Sequence, residues 1–174
     1  MKNLATRFVF LVLPLVILAG NVNAEPWRGI VPLKSNRSDV ERLLGKPLPS
    51  NMKFYVTYNL ESEEVRVRYA DKSLCIRTDE CECRVPDYTV LNVVIRLKTT
   101  INFSALSLDQ SKFHLIVNAE NANNVAYSNS DAGLMYVISK RDDLVLYVQY
   151  SPTAKDCADA LKPTSVYHGR TQLN

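Results

Sequence analysis

The spacing of apolar residues changes three times along this chain, and each change predicts a different element. Residues 8–20 are almost wholly apolar, residues 40–44 place apolar side chains at helical spacing, and several later stretches alternate apolar with polar. The stretch 27–47, WRGIVPLKSNRSDVERLLGKP, predicts a capped helix with a hard stop. Ser35 or Ser38 suits the N-cap, because each hydroxyl can accept a bond from an otherwise unpaired first-turn N–H. Ser38 with Glu41 three residues on also fits a capping box. Val40, Leu43 and Leu44 fall at i, i+3 and i+4, one apolar stripe. Gly45 suits the left-handed position after the last turn, and Pro47 cannot continue the helix. A helix this short is not stable alone, so its stripe is expected to dock on the strands that follow.

Residues 53–58 and 65–69 predict two strands. In the second, Val65, Val67 and Tyr69 alternate with Arg66 and Arg68, the period of a half-buried strand. Polar residues 59–64 suit a hairpin, and 71–87 form a charged, cysteine-bearing loop. Residues 88–97 are rich in Val, Ile and Thr and predict a further strand. Residues 103–113 read as a loop with one helical turn. Setting Val56 against Val125 aligns VTYNLESEEVRVRY with VAYSNSDAGLMYVI without a gap. Each segment is followed by one more strand, 88–97 and 144–150. The alignment suggests two related units, 25–100 and 101–152, each a short helix or loop followed by a three-stranded meander. The alternative is that strand–turn–strand segments resemble one another by composition alone. Residues 153–162 predict a short terminal helix ended by Pro163, and the tail from Thr164 is expected to fray. The fold class is α+β: a short N-terminal helix packed on antiparallel β-meanders, with a short C-terminal helix.

The predicted faces of the sheet differ. Arg66 and Arg68 point away from the core, and Arg96 and Lys98 share their side, as on the solvated face of an antiparallel sheet. In the second meander both faces are apolar. Leu134, Tyr136 and Ile138 oppose Met135 and Val137, and Leu146 and Val148 oppose Val145 and Tyr147. Such strands are covered on both sides, by the chain's own helices or by a partner; internal cover is expected here.

The start of the chain changes the picture from a generic domain to an exported one. Lys2 and Arg7 precede the apolar run, and the small residues Val22 and Ala24 follow it, the pattern of a secretory signal peptide, 1–24, cleaved after Ala24. The run of about 13 residues is well short of the roughly 20 that span a bilayer. No cysteine sits at the cleavage point to carry a lipid, and no other stretch could cross a membrane. One exported domain, 25–174, remains. Its charge is balanced: removing Lys2 and Arg7 from 21 basic residues leaves 19 against 18 acidic, a net of +1. That excludes the basic excess of a nucleic-acid binder.

Four cysteines in an exported chain point to disulfides. A Cys81–Cys83 ring would be strained. The two remaining pairings each tie the 75–83 loop to itself once and to Cys157 once. A thiolate metal site is not expected: the two histidines, His114 and His168, lie far from the cysteines in sequence, and C-x-C is not a zinc spacing. No cofactor is implied.

Reactive constellations are missing from the sequence. There is no G-x-S-x-G, H-E-x-x-H, S-x-x-K or phosphate-cradling glycine loop. Tyr136 and Lys140 have the spacing of a dehydrogenase pair, but on a predicted strand with no dinucleotide fingerprint. His114 with Asp109 could serve as base and orienter, yet no nucleophile accompanies them. Glu61, Glu63 and Glu64 crowd a turn, where solvated charge explains them. The chain therefore reads as a non-catalytic exported protein that binds a protein or envelope component, with Arg66, Arg68 and Arg96 the candidate partner surface. The alternative is an extracytoplasmic hydrolase using His114.

Two resemblances follow from these residues. GIVPLKSNRSDVERLLGKP, with VPDYTVL (85–91) and YSPTAKD (150–156), resembles a family of uncharacterised secreted bacterial proteins. That resemblance implies bacterial export but hands over no activity. More distantly, a helix closed by G-x-P before a meander is similar to the small outer-membrane-assembly lipoproteins and the β-lactamase-inhibitor proteins. The latter resemblance implies an α+β binding module, the inhibitors being tandem repeats. This chain lacks a lipid-anchor cysteine, and no functional residue is carried over from either group.

Overall fold

A computed structural model describes residues 26–75, 81–117 and 123–162. The predicted signal peptide and the tail from Thr164 lie outside the described residues. Helix α1 is Arg37–Leu44, and strands β1 and β2 are Tyr55–Asn59 and Glu63–Tyr69. Strand β3 is Val90–Leu97, β4 His114–Val117, β5 Asn124–Asn129, β6 Leu134–Ser139 and β7 Leu144–Tyr150. Helix α2, Ala154–Leu161, closes the described chain. All seven strands form one antiparallel sheet in the order β1-β2-β3-β7-β6-β5-β4. The molecule is thus α+β: one large sheet with two short helices.

The N-cap of α1 is Asn36, not Ser35 or Ser38. Its side-chain oxygen accepts the Asp39 N–H at 3.1 Å, and the Asp39 carboxylate accepts the Asn36 N–H at 3.0 Å, a reciprocal box. The two serines are otherwise engaged: Ser38 donates its hydroxyl to Asn36 Oδ1, and Ser35 accepts the Val31 N–H. Gly45 ends the helix with a positive φ of +83°, but its ψ of -158° is not the left-handed cap conformation expected after the last turn. Val40 is fully buried and Leu44 half-buried, whereas Leu43 is 42% exposed, so the apolar stripe is narrower than its spacing suggested.

Val40 joins Ile30, Val56, Tyr58, Val65, Val67, Tyr69, Val93 and Ile95 in the first apolar cluster. The second cluster joins Phe103 to Leu134, Ile138, Val145 and Val148. The pairing registers put these strand residues on one side of the sheet, the inner face. Cover for its second half comes from 103–113, which holds two 3-10 turns, Phe103–Leu106 and Gln110–Lys112, where one turn was predicted. Phe103 stacks on Tyr127 with ring centroids 4.7 Å apart.

Two readings of the second half need correction. Residues 114–117 form a fourth strand outside the predicted three-stranded meander. Between Val137 and Ile138 the register shifts, pairing Val137 with Tyr147 but Ile138 with Val145. Leu146 is the extra residue of this bulge. Val145 and Val148 therefore both point inward, and Leu146 is left 38% exposed instead of sharing the face of Val148. The gapless alignment fails for a related reason. Val56 pairs with Val67 and Tyr58 with Val65, while Val125 pairs with Ile138 and Tyr127 with Tyr136. The hairpins match in face and register only when the second carries two additional residues.

Candidate recognition face

Outward-pointing side chains follow from the same registers. Tyr55 stands beside Arg68, Thr57 beside Arg66, and Glu64 beside Arg96. Val94 lies opposite Gln149, Gln149 opposite Met135, Met135 opposite Ser128 and Ser128 opposite His114. Tyr147, Val137, Ala126 and Ile116 make a parallel row. None of these residues belongs to the inner clusters. The apolar clusters thus cover the inner face, while on the outer face Val137 is buried at 8% exposure and Ile116 and Tyr55 are open at 49% and 53%.

The three predicted arginines do share the outer face, but in different electrostatic states. Arg66 pairs with Glu64 at 2.9 Å, and Arg68 with Glu82 at 2.6 Å while also lying 6.0 Å from the Tyr55 ring. Arg96 is exposed and has no ion pair among the described residues. Exposed pairs of this kind contribute little to stability, so Arg66 remains usable by a partner. Arg68 is held more firmly, since Glu82 sits in the disulfide-bound 81–83 turn.

The cysteines pair as Cys75–Cys83 and Cys81–Cys157, one of the two arrangements left open by sequence. The second bridge ties the turn to α2, whose Ala160 packs against Ala70, Val85 and Leu91 at the end of the sheet. The bridges place the chain in an oxidising, extracytoplasmic setting. No helix among the described residues is long and apolar enough to cross a membrane, and none of their His, Cys, Asp and Glu side chains cluster as a metal site.

Other predicted positions are dispersed. His114 is exposed on the edge strand β4, not in a packed core. Asp109 is engaged with Ser111 and Lys112, and the Ser111 hydroxyl and N–H hold its carboxyl below the usual range. Ser128 stands directly opposite His114, yet no hydrogen bond joins their side chains among the described residues. Tyr136 points inward within the second cluster and Lys140 is exposed. Glu63 is not solvated turn charge: it is 5% exposed and pairs with Arg28 at 2.6 Å.

Concavities lined by described residues accompany the sheet. One, of about 620 Å³, lies between the first turn of α1 and residues 86–89. Its polar groups already serve the fold. Arg37 pairs with Glu41 at 2.8 Å, which raises the guanidinium pKa, and Asn36 caps the helix. Asp87 accepts the Lys72 N–H at 2.8 Å, and Lys34 lies 3.9 Å from Asp156. Two further hollows, about 370 and 250 Å³, open on the outer face and share Pro152. Sequence reasoning missed them, because their lining combines five strands whose order the sequence does not state.

No family model matches the chain, and no curated protein matches it. Among solved structures, a DUF4309 family protein (YjgB) from Bacillus subtilis is similar, with a TM-score of 0.51 and 13% identity. The match covers 75% of this chain and 88% of that one. At this identity the likeness concerns the fold alone.

Proposed function

We propose that this chain is an exported, non-catalytic binding module that engages a protein or envelope component through the outer face of its sheet. One observation carries the reading: an extended sheet face outside both apolar clusters that presents Tyr55, Arg66, Arg96, Met135 and Tyr147. Aromatic, Met and Arg side chains are the types enriched where proteins meet partners. The proposal includes cleavage of the 1–24 signal peptide after Ala24 and membership of the secreted bacterial family that the helix-to-proline motif resembles. It also includes descent from two related units, with α1 serving the first and 103–113 the second.

The test is capture from a native envelope extract with the mature chain, with and without chemical crosslinking. Arg66→Glu combined with Arg96→Glu reduces capture if this face is the contact. Unchanged capture counts against it.

A second reading keeps a hydrolase in view, because Ser128 lies across from His114. Covalent labelling of Ser128 by a fluorophosphonate, lost in His114→Ala, would favour that reading; an unlabelled Ser128 counts against it.

A further inference from the structure

The connection between α1 and β1, residues 45–54, combines free charge with exposed apolar surface. It holds no helix or strand, and every residue in it except Pro47 and Phe54 is exposed. Two large apolar side chains stand in water on it, Leu48 at 44% and Met52 at 65% exposure, and Leu43 near the end of α1 adds a third. Lys46 and Lys53 alternate with them, and neither side chain has an ion pair among the described residues. No acidic residue occurs between Glu41 and Glu61. In a chain of nearly balanced charge, this stretch is a local basic excess.

Backbone contacts hold the segment to the fold and leave these side chains free. Leu48 donates its N–H to the Thr57 carbonyl at 2.8 Å, fixing the connection beside the edge strand β1. Met52 donates its N–H to Ser50 Oγ at 3.0 Å, and the Lys53 carbonyl accepts Arg37 Nη1 at 3.5 Å. Pro47 and Pro49 have no N–H to offer. No N–H is thus left at 47, 48, 49 or 52 to pair with a strand of a partner. For the same reason none of these positions strands a donor when water is withdrawn.

We propose that residues 45–54 dock the protein on an anionic phospholipid surface. Leu48 and Met52 enter the boundary between headgroups and acyl chains, and Lys46 and Lys53 stay at the headgroup phosphates. This surface is separate from the outer face of the sheet, and the proposal does not rest on the reading of that face. Charge and shape select the partner. A basic residue near an anionic bilayer adds about fivefold to affinity. A lysine stem can lie along the apolar boundary while its ammonium group remains in water. Leu48 and Met52 are dispersed along an irregular segment, and a fluid bilayer receives such side chains without a preformed pocket. A folded acidic protein would need a fitted pocket for each.

The experiment sediments the oxidised mature chain with vesicles of phosphatidylcholine alone and of phosphatidylcholine mixed equally with phosphatidylglycerol. Saturable binding to the mixed vesicles, weak on the neutral ones and reduced by added salt, is expected. Amide signals of 45–54 should broaden selectively when the lipid carries a paramagnetic label. Lys46→Gln with Lys53→Gln weakens binding roughly 25-fold. Leu48→Ser with Met52→Ser weakens it roughly tenfold, while the melting temperature stays unchanged because both side chains are exposed already. Failure to bind the mixed vesicles, equal binding to both kinds, or binding unaffected by either double variant overturns the inference. So does an acidic protein crosslinked to Lys46 or Lys53 when the vesicles fail. If the vesicles fail while Arg66→Glu with Arg96→Glu still reduces protein capture, the lipid docking is wrong and the recognition face stands.

Discussion

Ile95 lies directly opposite Val148 at the centre of the sheet, both side chains buried on the inner face. The two hold matching places. Ile95 pairs with Val65 of the preceding strand, and Val148 pairs with Tyr136, which matches Val65 when the hairpins are superposed by face and register. The seam between the halves is thus built from the same strand position used twice. A continuous ladder at such a seam couples the halves, so they unfold together. Ile95→Ala should cost about 3 kcal/mol. Urea unfolding followed by the fluorescence of Trp27, the only tryptophan, and by far-UV circular dichroism should still give coincident transitions. Separate transitions would show that the halves are independent.

Tyr58 and Tyr69 make the main polar contact inside the first cluster, their hydroxyls 3.1 Å apart beneath α1. Burial raises both phenol pKa values, that of Tyr69 more strongly. In the unfolded chain a tyrosine ionises near pH 10. Above that pH the unfolded state holds fewer protons than the folded one, so stability falls as pH rises. Stability from this source is complete at neutral pH and is lost from about pH 10 upward. The double variant Tyr58→Phe with Tyr69→Phe should show a shallower alkaline decline than the parent, followed by urea unfolding at successive pH values. Each single variant should be less stable than the double relative to expectation, since it strands one hydroxyl in the core.

Much of the first half was legible because local signals and tertiary packing agree there. Gly45 and Pro47 ended the helix as expected, and Val65, Val67 and Tyr69 alternate with Arg66 and Arg68 as a half-buried strand must. The N-cap was misjudged because Asn36 sits between two serines, and only the backbone geometry shows which of the three accepts. The second half was read less well. The bulge at Leu146 breaks the two-residue period that assigns faces. The make-up of the outer face was hidden for a different reason: β7 inserts beside β3, setting Gln149 opposite Val94 across a long stretch of sequence. No pattern within a single strand reports its distant neighbour.

Arg28 and Glu63 fasten the start of the described chain to the sheet. The Arg28 guanidinium lies 2.6 Å from Glu63 Oε1 and 5.3 Å from the Trp27 ring centroid. The contact is an ion pair, and no aligned hydrogen bond reaches that oxygen among the described residues. Glu63 is buried although Arg28 is half open to water. Removing only the arginine leaves a buried carboxylate without its partner, so Arg28→Ala should cost about 2 kcal/mol. Glu63→Leu combined with Arg28→Leu should recover most of that loss, because the buried charge has gone. Equal losses in both variants, measured by urea unfolding, would mean that packing of the Arg28 stem dominates.

The two disulfides should contribute unequally, and their order can be worked out from loop size. Cys75–Cys83 spans 8 residues of sequence, whereas Cys81–Cys157 spans 76 and joins the 81–83 turn to α2. In the chain-entropy picture the short loop is worth about 2.5 kcal/mol and the long one about 4.5 kcal/mol. Replacing Cys81 and Cys157 together by alanine should therefore destabilise the chain more than replacing Cys75 and Cys83. The long bridge also supports the packing of Ala160 against Ala70, Val85 and Leu91, which widens the gap. Because Glu82 lies between the two cysteines of the turn, loss of either bridge loosens its grip on Arg68. Urea unfolding of the two double variants checks this order, and equal stabilities for the two would reverse the argument from loop size.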